Sequence, residues 1–412
     1  MWKDGALQEF WAGKRIVIGV CGGIAAYKIC QLVSTLAKAG AEVRVILTQS
    51  AAEFVTPLTF ATLSRHAAYT DADFWHRSAG RPLHIQLAEW ADAIAIAPLT
   101  ANTLAKLAYG LADNLLTNLL LASNCPVLLA PAMNTQMWEQ VSVQRNWEQV
   151  LSNSRYWSMT PGEGRLACDA EGMGRLPEPE AIATQLLAIM WAKGVADWRG
   201  KRVLISGSGT REFLDAVRFI GNPSTGRMGW AIARAAADRG AQVTFVHAPL
   251  TLGEGELLDG IETVAVTSSE DMQACMNERF EQADVTVMSA AVGDVRPTFH
   301  TEAKLPKAEL PKSLPLSEIP DIVRSLCERK TQNQRVIGFA AQVGDPVPAA
   351  LAKLERKGLD AIVANAIDRP DSGFASGFNQ ATVLGRNGQR LEIPHCSKLE
   401  MAHHVLDFAK TL

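Results

Sequence analysis

The sequence predicts an α/β protein of two doubly wound, Rossmann-like domains with mainly parallel sheets, and three observations carry that expectation. Gly13-Lys-Arg-Ile-Val-Ile-Gly-Val-Cys-Gly-Gly23 reads as a charged lead-in, a buried strand and a glycine turn, and Gly200-Lys-Arg-Val-Leu-Ile-Ser-Gly-Ser-Gly209 repeats the plan. Each opening leads through a helical stretch to a second strand introduced by Gly-Ala, at Gly40-Ala-Glu-Val-Arg-Val-Ile-Leu47 and Gly240-Ala-Gln-Val-Thr-Phe-Val246. A strand, glycine turn, helix and parallel strand is how a doubly wound sheet begins. The 412 residues also suit two domains of about 200 better than one.

Later elements continue each pattern in order. The first half carries the apolar runs Ala93-Ile-Ala-Ile-Ala97 and Val127-Leu-Leu-Ala130, with a helix expected over Ala101–Leu111. The second carries Val285-Thr-Val-Met288, Val336-Ile-Gly-Phe339 and Ala361-Ile-Val-Ala364, with a helix over Ala349–Lys357. Near-continuous apolar runs fit strands covered on both faces. Leu305–Pro320 holds four prolines and is expected to be a loop or crossing segment. The expected division is residues 13–190, a linker at 191–200, and residues 201–412.

Forty basic and 43 acidic side chains leave a net charge of −3, without the basic excess of a nucleic-acid or membrane-surface binder. Anions must then be held by loop amides, helix N-termini and single lysines. The seven cysteines are odd in number, scattered and never paired as Cys-x-x-Cys, which points to reduced thiols in a cytoplasm rather than a disulfide framework or zinc site. Residues 1–14 lack a long apolar core, so no secretory signal is expected. No stretch reaches the ~18–20 apolar residues that span a bilayer.

Ligands of doubly wound sheets bind beyond the strand carboxyl ends, so the segments after each strand are the candidate sites. In the first half Gly22, Gly23 and Ile24 open a helix whose N–H groups suit an anion. Thr48-Gln-Ser50 follows the second strand without the acidic residue of a nicotinamide-dinucleotide site, which argues against a dehydrogenase. Ala97-Pro-Leu-Thr-Ala-Asn-Thr103 and Ala130-Pro-Ala-Met-Asn134 supply Thr100, Asn102 and Asn134 for a polar heterocycle or carboxylate, and Thr100 suits a helix cap equally. Met133 and Met137 offer soft surface to an aromatic ring. His84 begins an amphipathic helix, and Cys168 sits in the glycine-rich run Gly162–Arg175, whose composition suits a mobile flap.

In this order those segments resemble the homo-oligomeric flavin-containing cysteine decarboxylases, and among them phosphopantothenoylcysteine decarboxylases, over residues 13–190. The resemblance implies FMN held by Gly22, Gly23, Ile24, Thr48, Ser50, Thr100, Ala101, Asn102 and Thr103. It further implies that His84 assists oxidation and decarboxylation of a cysteine moiety, that Asn134 holds its carboxylate, and that Cys168 donates a proton to the enethiol product. FMN at a subunit interface, and so a trimeric core, is implied as well. Gly23 stands where the family usually has Ser, and Asp169 where it usually has Gly.

In the second half Gly207-Ser-Gly-Thr-Arg-Glu212 follows the strand, and Arg218-Phe-Ile-Gly-Asn-Pro-Ser-Thr-Gly-Arg-Met-Gly229 ends in a turn opening a helix. The Gly-Lys-Ser/Thr ending of a Walker loop is missing. Ser289-Ala-Ala-Val-Gly-Asp294 brings small residues and a carboxylate; Lys304 and Lys307 bring point charges for phosphates, and Phe339, Lys353 and Lys357 are placed to complete a pocket. Residues 200–395 resemble phosphopantothenate–cysteine ligases of the bacterial CTP-using type, most specifically through the Thr-Arg-Glu and Arg-Phe-Ile-Gly-Asn stretches and Gly-Phe-Ala-Ala341. That resemblance implies that Asn222 governs turnover of an acyl-cytidylate by cysteine and that Lys304 is catalytic. It assigns CTP contacts to Ala290, Asp294, Lys304, Pro320, Asp321, Ile322, Phe339, Lys353 and Lys357, with Mg²⁺ and dimeric ligase domains. Pro306 and Gln342 depart from the family pattern. Together the two resemblances imply consecutive steps of coenzyme A biosynthesis from 4′-phosphopantothenate, L-cysteine and CTP. The alternative is a flavin-binding regulatory protein without catalysis.

Overall fold

The computed structural model describes residues 8–75, 80–165, 171–252, 260–368, 373 and 376–412. The chain divides into two compact units, Trp2–Ala196 and Asp197–Leu412. Among the described residues no helix is long and apolar enough to cross a membrane.

The first unit is a six-stranded sheet of β1 (Arg15–Val20), β2 (Glu42–Leu47), β3 (Ala68–Tyr69), β4 (Ala93–Leu99), β5 (Val127–Pro131) and β6 (Tyr156–Ser158). The strands run in the order β3-β2-β1-β4-β5-β6, every pair parallel. The strand order reverses at β1, between the chain running outward to β2 and the chain running outward to β4, and that switch point is where such a sheet opens a crevice. Helices cover the faces because Ile16, Val17, Ile94, Ile96 and Leu129 are wholly buried; one face packs on Leu104, Leu116 and Leu119. The expected helix after β4 spans Ala101–Tyr109, stopped by Gly110 in the left-handed conformation. The glycine-rich flap is flanked by an antiparallel hairpin of β7 (Gly162–Arg165) and β8 (Glu171–Arg175). Cys168 and Asp169 lie outside the described residues.

The second unit has an eight-stranded sheet. Its strands are β9 (Arg202–Gly207), β12 (Gln242–His247), β13 (Glu262–Ala265), β14 (Val285–Met288), β17 (Arg335–Gln342), β18 (Ala361–Ala366), β19 (Phe378–Gly385) and β20 (Arg390–Ser397). They run in the order β13-β12-β9-β14-β17-β18-β19-β20, parallel up to β18 and antiparallel beyond it. The core gathers Leu204, Val246, Met288, Val336 and Ile362 under Met272, Leu326 and Leu354. Two small hairpins stand outside the sheet, β10 (Arg211–Phe213) with β11 (Phe219–Gly221) and β15 (Val295–Pro297) with β16 (Leu316–Glu318). The last pair adds a short strand to Leu305–Pro320, the segment expected to be a loop or crossing segment. Leu316–Glu318 pairs with β15 because a strand needs only three proline-free residues there, and Pro315 and Pro320 bound it from outside.

Candidate functional site

The carboxyl ends of β1, β2, β4 and β5 open onto one cavity of about 1100 Å³. Gly22, Gly23 and Ile24 reach it from β1, Thr48 and Ser50 from β2, Thr100 to Thr103 from β4, and Asn134 with Met133 and Met137 from β5. The β1 turn passes so close to the β2 turn that a Cβ on Gly22 would stand 2.3 Å from Ser50 Cβ and 2.9 Å from its carbonyl carbon. Only glycine fits there. Thr48 Oγ1 accepts a hydrogen bond from Ala51 N (3.3 Å), Thr100 Oγ1 from Thr103 N (3.4 Å) and Asn134 Oδ1 from Gln136 N (2.9 Å). Capping and lining are thus done by the same side chains. Thr103 is nearly buried and its hydroxyl accepts from the Cys21 thiol at 3.2 Å, which makes it floor rather than rim.

Four cations on the wall, Lys28, Lys106, Arg165 and Arg175, were not singled out in the sequence. Lys28 and Arg175 both pair with Glu178, at 3.3 and 2.7 Å, and Lys106 with Asp113 at 2.8 Å. A lysine inside a helix carries no local mark of the strand end it faces, so spacing alone cannot find these. His84 is not part of the cavity wall. It sits in the first turn of the helix Leu83–Trp90, its ring edge-on to Phe74 with centroids 5.3 Å apart, and its Nδ1 is buried without a hydrogen-bond partner among the described residues.

In the second unit the carboxyl ends of β9, β14 and β17 gather another set. Lys353 donates to the Phe339 carbonyl oxygen at 2.7 Å, and Lys357 pairs with Asp321 at 3.0 Å. Both lysines project from one face of the helix Val347–Lys357, one turn apart. Asp321 caps the helix Ile322–Arg329 through Arg324 N. Burial, then the neighbouring Lys357, lowers the Lys353 ammonium to about 8, against the opposing pull of Asp321 and Asp294. Burial pushes the Asp321 carboxyl up, but the Arg324 N–H and the two lysines outweigh it and hold it below the usual range.

Asp294, Asp321, Phe339, Lys353 and Lys357 therefore share one electrostatic neighbourhood. Ala290 N donates to Ser206 Oγ on β9, and Asn222 Nδ2 donates to the carbonyls of Ala291 and Val292, which ties the residue after β11 to the same loop. Ile322 is 3% exposed and packs in the core, while Pro320 and Asp321 before it are exposed. Lys304 is exposed, and no bond among the described residues joins it to Lys353 or Lys357. The turn before the helix Arg227–Asp238 depends on Gly226, whose φ is +80° and whose Cβ would meet Leu250 at 2.3 Å. Among the described residues no group of three or more His, Cys, Asp or Glu side chains is arranged to hold a metal ion, and none of the described cysteines is in a disulfide.

Two mainly parallel sheets with glycine-turned strand ends, one over a cavity of about 1100 Å³ and one beside a lysine pair, define the class: two doubly wound α/β units in one chain. Residues 7–190 match the sequence profile of the flavoprotein family, and residues 198–412 match that of the DNA/pantothenate metabolism flavoprotein C-terminal domain. The coenzyme A biosynthesis bifunctional protein CoaBC of Bacillus subtilis is 41% identical over 393 residues, 95% of this chain and 96% of that one. Its counterpart in Mycolicibacterium smegmatis is 40% identical over 410 residues, 96% and 97% of the two chains. The solved C-terminal domain of a coenzyme A biosynthesis bifunctional protein CoaBC is 33% identical, covering 52% of this chain and 95% of that domain, with a TM-score of 0.43. The chain belongs to the family of bifunctional coenzyme A biosynthesis proteins.

Proposed function

We propose that the second unit joins 4′-phosphopantothenate to L-cysteine using CTP, and that the first unit decarboxylates the product to 4′-phosphopantetheine with FMN, in the cytoplasm. The observation that carries this reading is the pair of strand-end sites within a chain that matches bifunctional coenzyme A biosynthesis proteins over nearly its whole length.

The first cavity suits FMN on its own geometry. The Gly22 turn leaves backbone exposed at the start of a 13-residue helix, which favours a phosphate, and Thr100, Asn102 and Met133 border space for a ring system. Bound there, FMN supplies the electron sink that a saturated cysteine carboxylate lacks. Asn134 has its Oδ1 committed to Gln136, so it meets the substrate carboxylate as a donor through Nδ2. His84 offers an orphaned ring nitrogen for proton transfer, and its absence from the cavity of a single chain favours a site completed by another copy. Exposed Ile24 (56%), Tyr27 (59%) and Met137 (48%) around the cavity mouth support a trimeric core. Cys168 is assigned as the proton donor in the last step. Cys168→Ala is then expected to release CO₂ at a near-normal rate while the enethiol accumulates, seen by mass analysis; normal 4′-phosphopantetheine formation would remove that role.

In the second unit the pantothenate carboxylate oxygen attacks the α-phosphorus of CTP and pyrophosphate leaves, giving an acyl-cytidylate. The cysteine amine then attacks the acyl carbon and CMP leaves, a step in which Asn222 takes part. Mg²⁺ enters with the triphosphate, as it commonly does in nucleotide enzymes, and Lys304, Lys353 and Lys357 meet the remaining charge. Because Lys353 titrates at about 8, it is charged below that pH and only about a tenth charged one unit above it. The kcat/KM for CTP is therefore expected to fall as pH rises through about 8, and Lys353→Met to flatten that limb. A profile unchanged by the substitution would refute the assignment.

The whole reading is tested by one reaction. Purified protein given 4′-phosphopantothenate, cysteine and CTP should release pyrophosphate and then CO₂. A yellow preparation that binds flavin yet releases neither product would instead favour a flavin-binding regulatory protein.

A further inference from the structure

Asp215 lies in the turn between β10 and β11 and is wholly buried, although the next two residues, Ala216 and Val217, are exposed. Its Oδ1 accepts from Val217 N (2.8 Å) and Arg218 N (2.7 Å), which closes the turn. Its Oδ2 does something the turn does not require: it accepts from Leu305 N at 3.2 Å, 90 residues along the chain and next to Lys304. Arg218 Nη1 pairs with the same carboxylate and also donates to the Leu305 carbonyl at 3.3 Å, so both backbone groups of Leu305 are held. Thr301 N donates to Leu214 O at 3.2 Å and fixes the loop's other end. Asn222 directly follows β11 and is itself bonded to Ala291 and Val292.

We propose that Asp215 is a positioning residue for the ligase chemistry, its carboxylate locking the loop that carries Lys304 to the hairpin that carries Asn222. The inference rests on the ligase reading above. Lys304 is exposed and has no partner of its own in the described structure, so whatever holds it on target must act through its backbone. The N–H groups of Val217, Arg218 and Leu305, with the Arg218 charge, outweigh the upward push of burial and lower the Asp215 carboxyl to about 2. The clamp is thus ionised and intact across the working range of the enzyme.

The test is a double-mutant cycle in the full-length protein, reading pyrophosphate release from CTP, 4′-phosphopantothenate and saturating cysteine. Asp215→Asn is expected to lower kcat by roughly 10- to 100-fold, through misplacement of Lys304, while KM for CTP moves by less than about twofold. Asp215→Asn added to Lys304→Gln is expected to cost nothing beyond Lys304→Gln alone. Losses that multiply would overturn the proposal, since Asp215 would then act on stability or on another group. If Asp215→Asn does not fold, seen as a collapsed Tm, Asp215→Glu carries the same cycle and should keep part of the rate. A Lys304→Gln protein with full pyrophosphate release would sink the ligase reading itself, a separate outcome.

Discussion

Replacing Lys304 by Gln is expected to cut pyrophosphate release by roughly 10²–10³-fold, the loss usual when one charged group aimed at a transition state is removed. Decarboxylation of supplied phosphopantothenoylcysteine should be unchanged. Lys304 is exposed on a loop whose backbone is pinned by Asp215, and it makes no bond that holds the fold together. Its removal should therefore leave stability within about 0.5 kcal/mol, as for surface changes away from caps, cores and networks. The two lysines that sit lower in the site have a different position: Lys353 is tied to the Phe339 carbonyl and Lys357 to Asp321. Both are already engaged within the protein, whereas Lys304 has no partner among the described residues. A fall in kcat with little change in KM would mark an interaction made only in the transition state. Release within about threefold of the wild-type rate would disprove the role, and equal loss of both activities would count against their separation in the chain.

What could be read in advance follows the range of the interactions. The openings at Gly13–Gly23 and Gly200–Gly209 declare themselves because a buried parallel strand and its glycine turn are local signals, and the residues after β1, β4 and β5 do line one cavity. The pair β19–β20 was not expected. As the antiparallel edge of a mixed sheet, β20 alternates exposed and covered positions and lacks the continuous apolar run of the inner strands. Asp215 was invisible for another reason. Its partner Leu305 is 90 residues distant, and nothing in Leu-Asp-Ala-Val-Arg218 says which remote N–H will fill the second oxygen. His84 does not line the cavity of the single chain, and motif order alone does not say how far from the cavity a residue will stand.

Gly22→Ala is expected to yield a protein that purifies with at least tenfold less flavin and correspondingly little decarboxylase activity, while pyrophosphate release in the other unit persists. The cause is steric and rigid on both sides. The new methyl would stand 2.3 Å from Ser50 Cβ and 2.9 Å from the Ser50 carbonyl carbon, and neither belongs to a flexible side-chain end that can swing away. The Ser50 turn is itself held, by Thr48 Oγ1 accepting from Ala51 N and by Thr48 N donating to Val20 O. The β1 turn must therefore move, at about 1–3 kcal/mol, the usual cost of overpacking, and it is the segment proposed to meet the flavin phosphate. Gly80→Ala supplies the control, because nothing lies within 4 Å of its added methyl and Gly80 does not line the cavity. It should keep both colour and activity. Visible absorbance of the two purified variants, followed by release and identification of the bound flavin, decides the matter: a Gly22→Ala protein as yellow and as active as the parent would move the flavin away from the β1 turn.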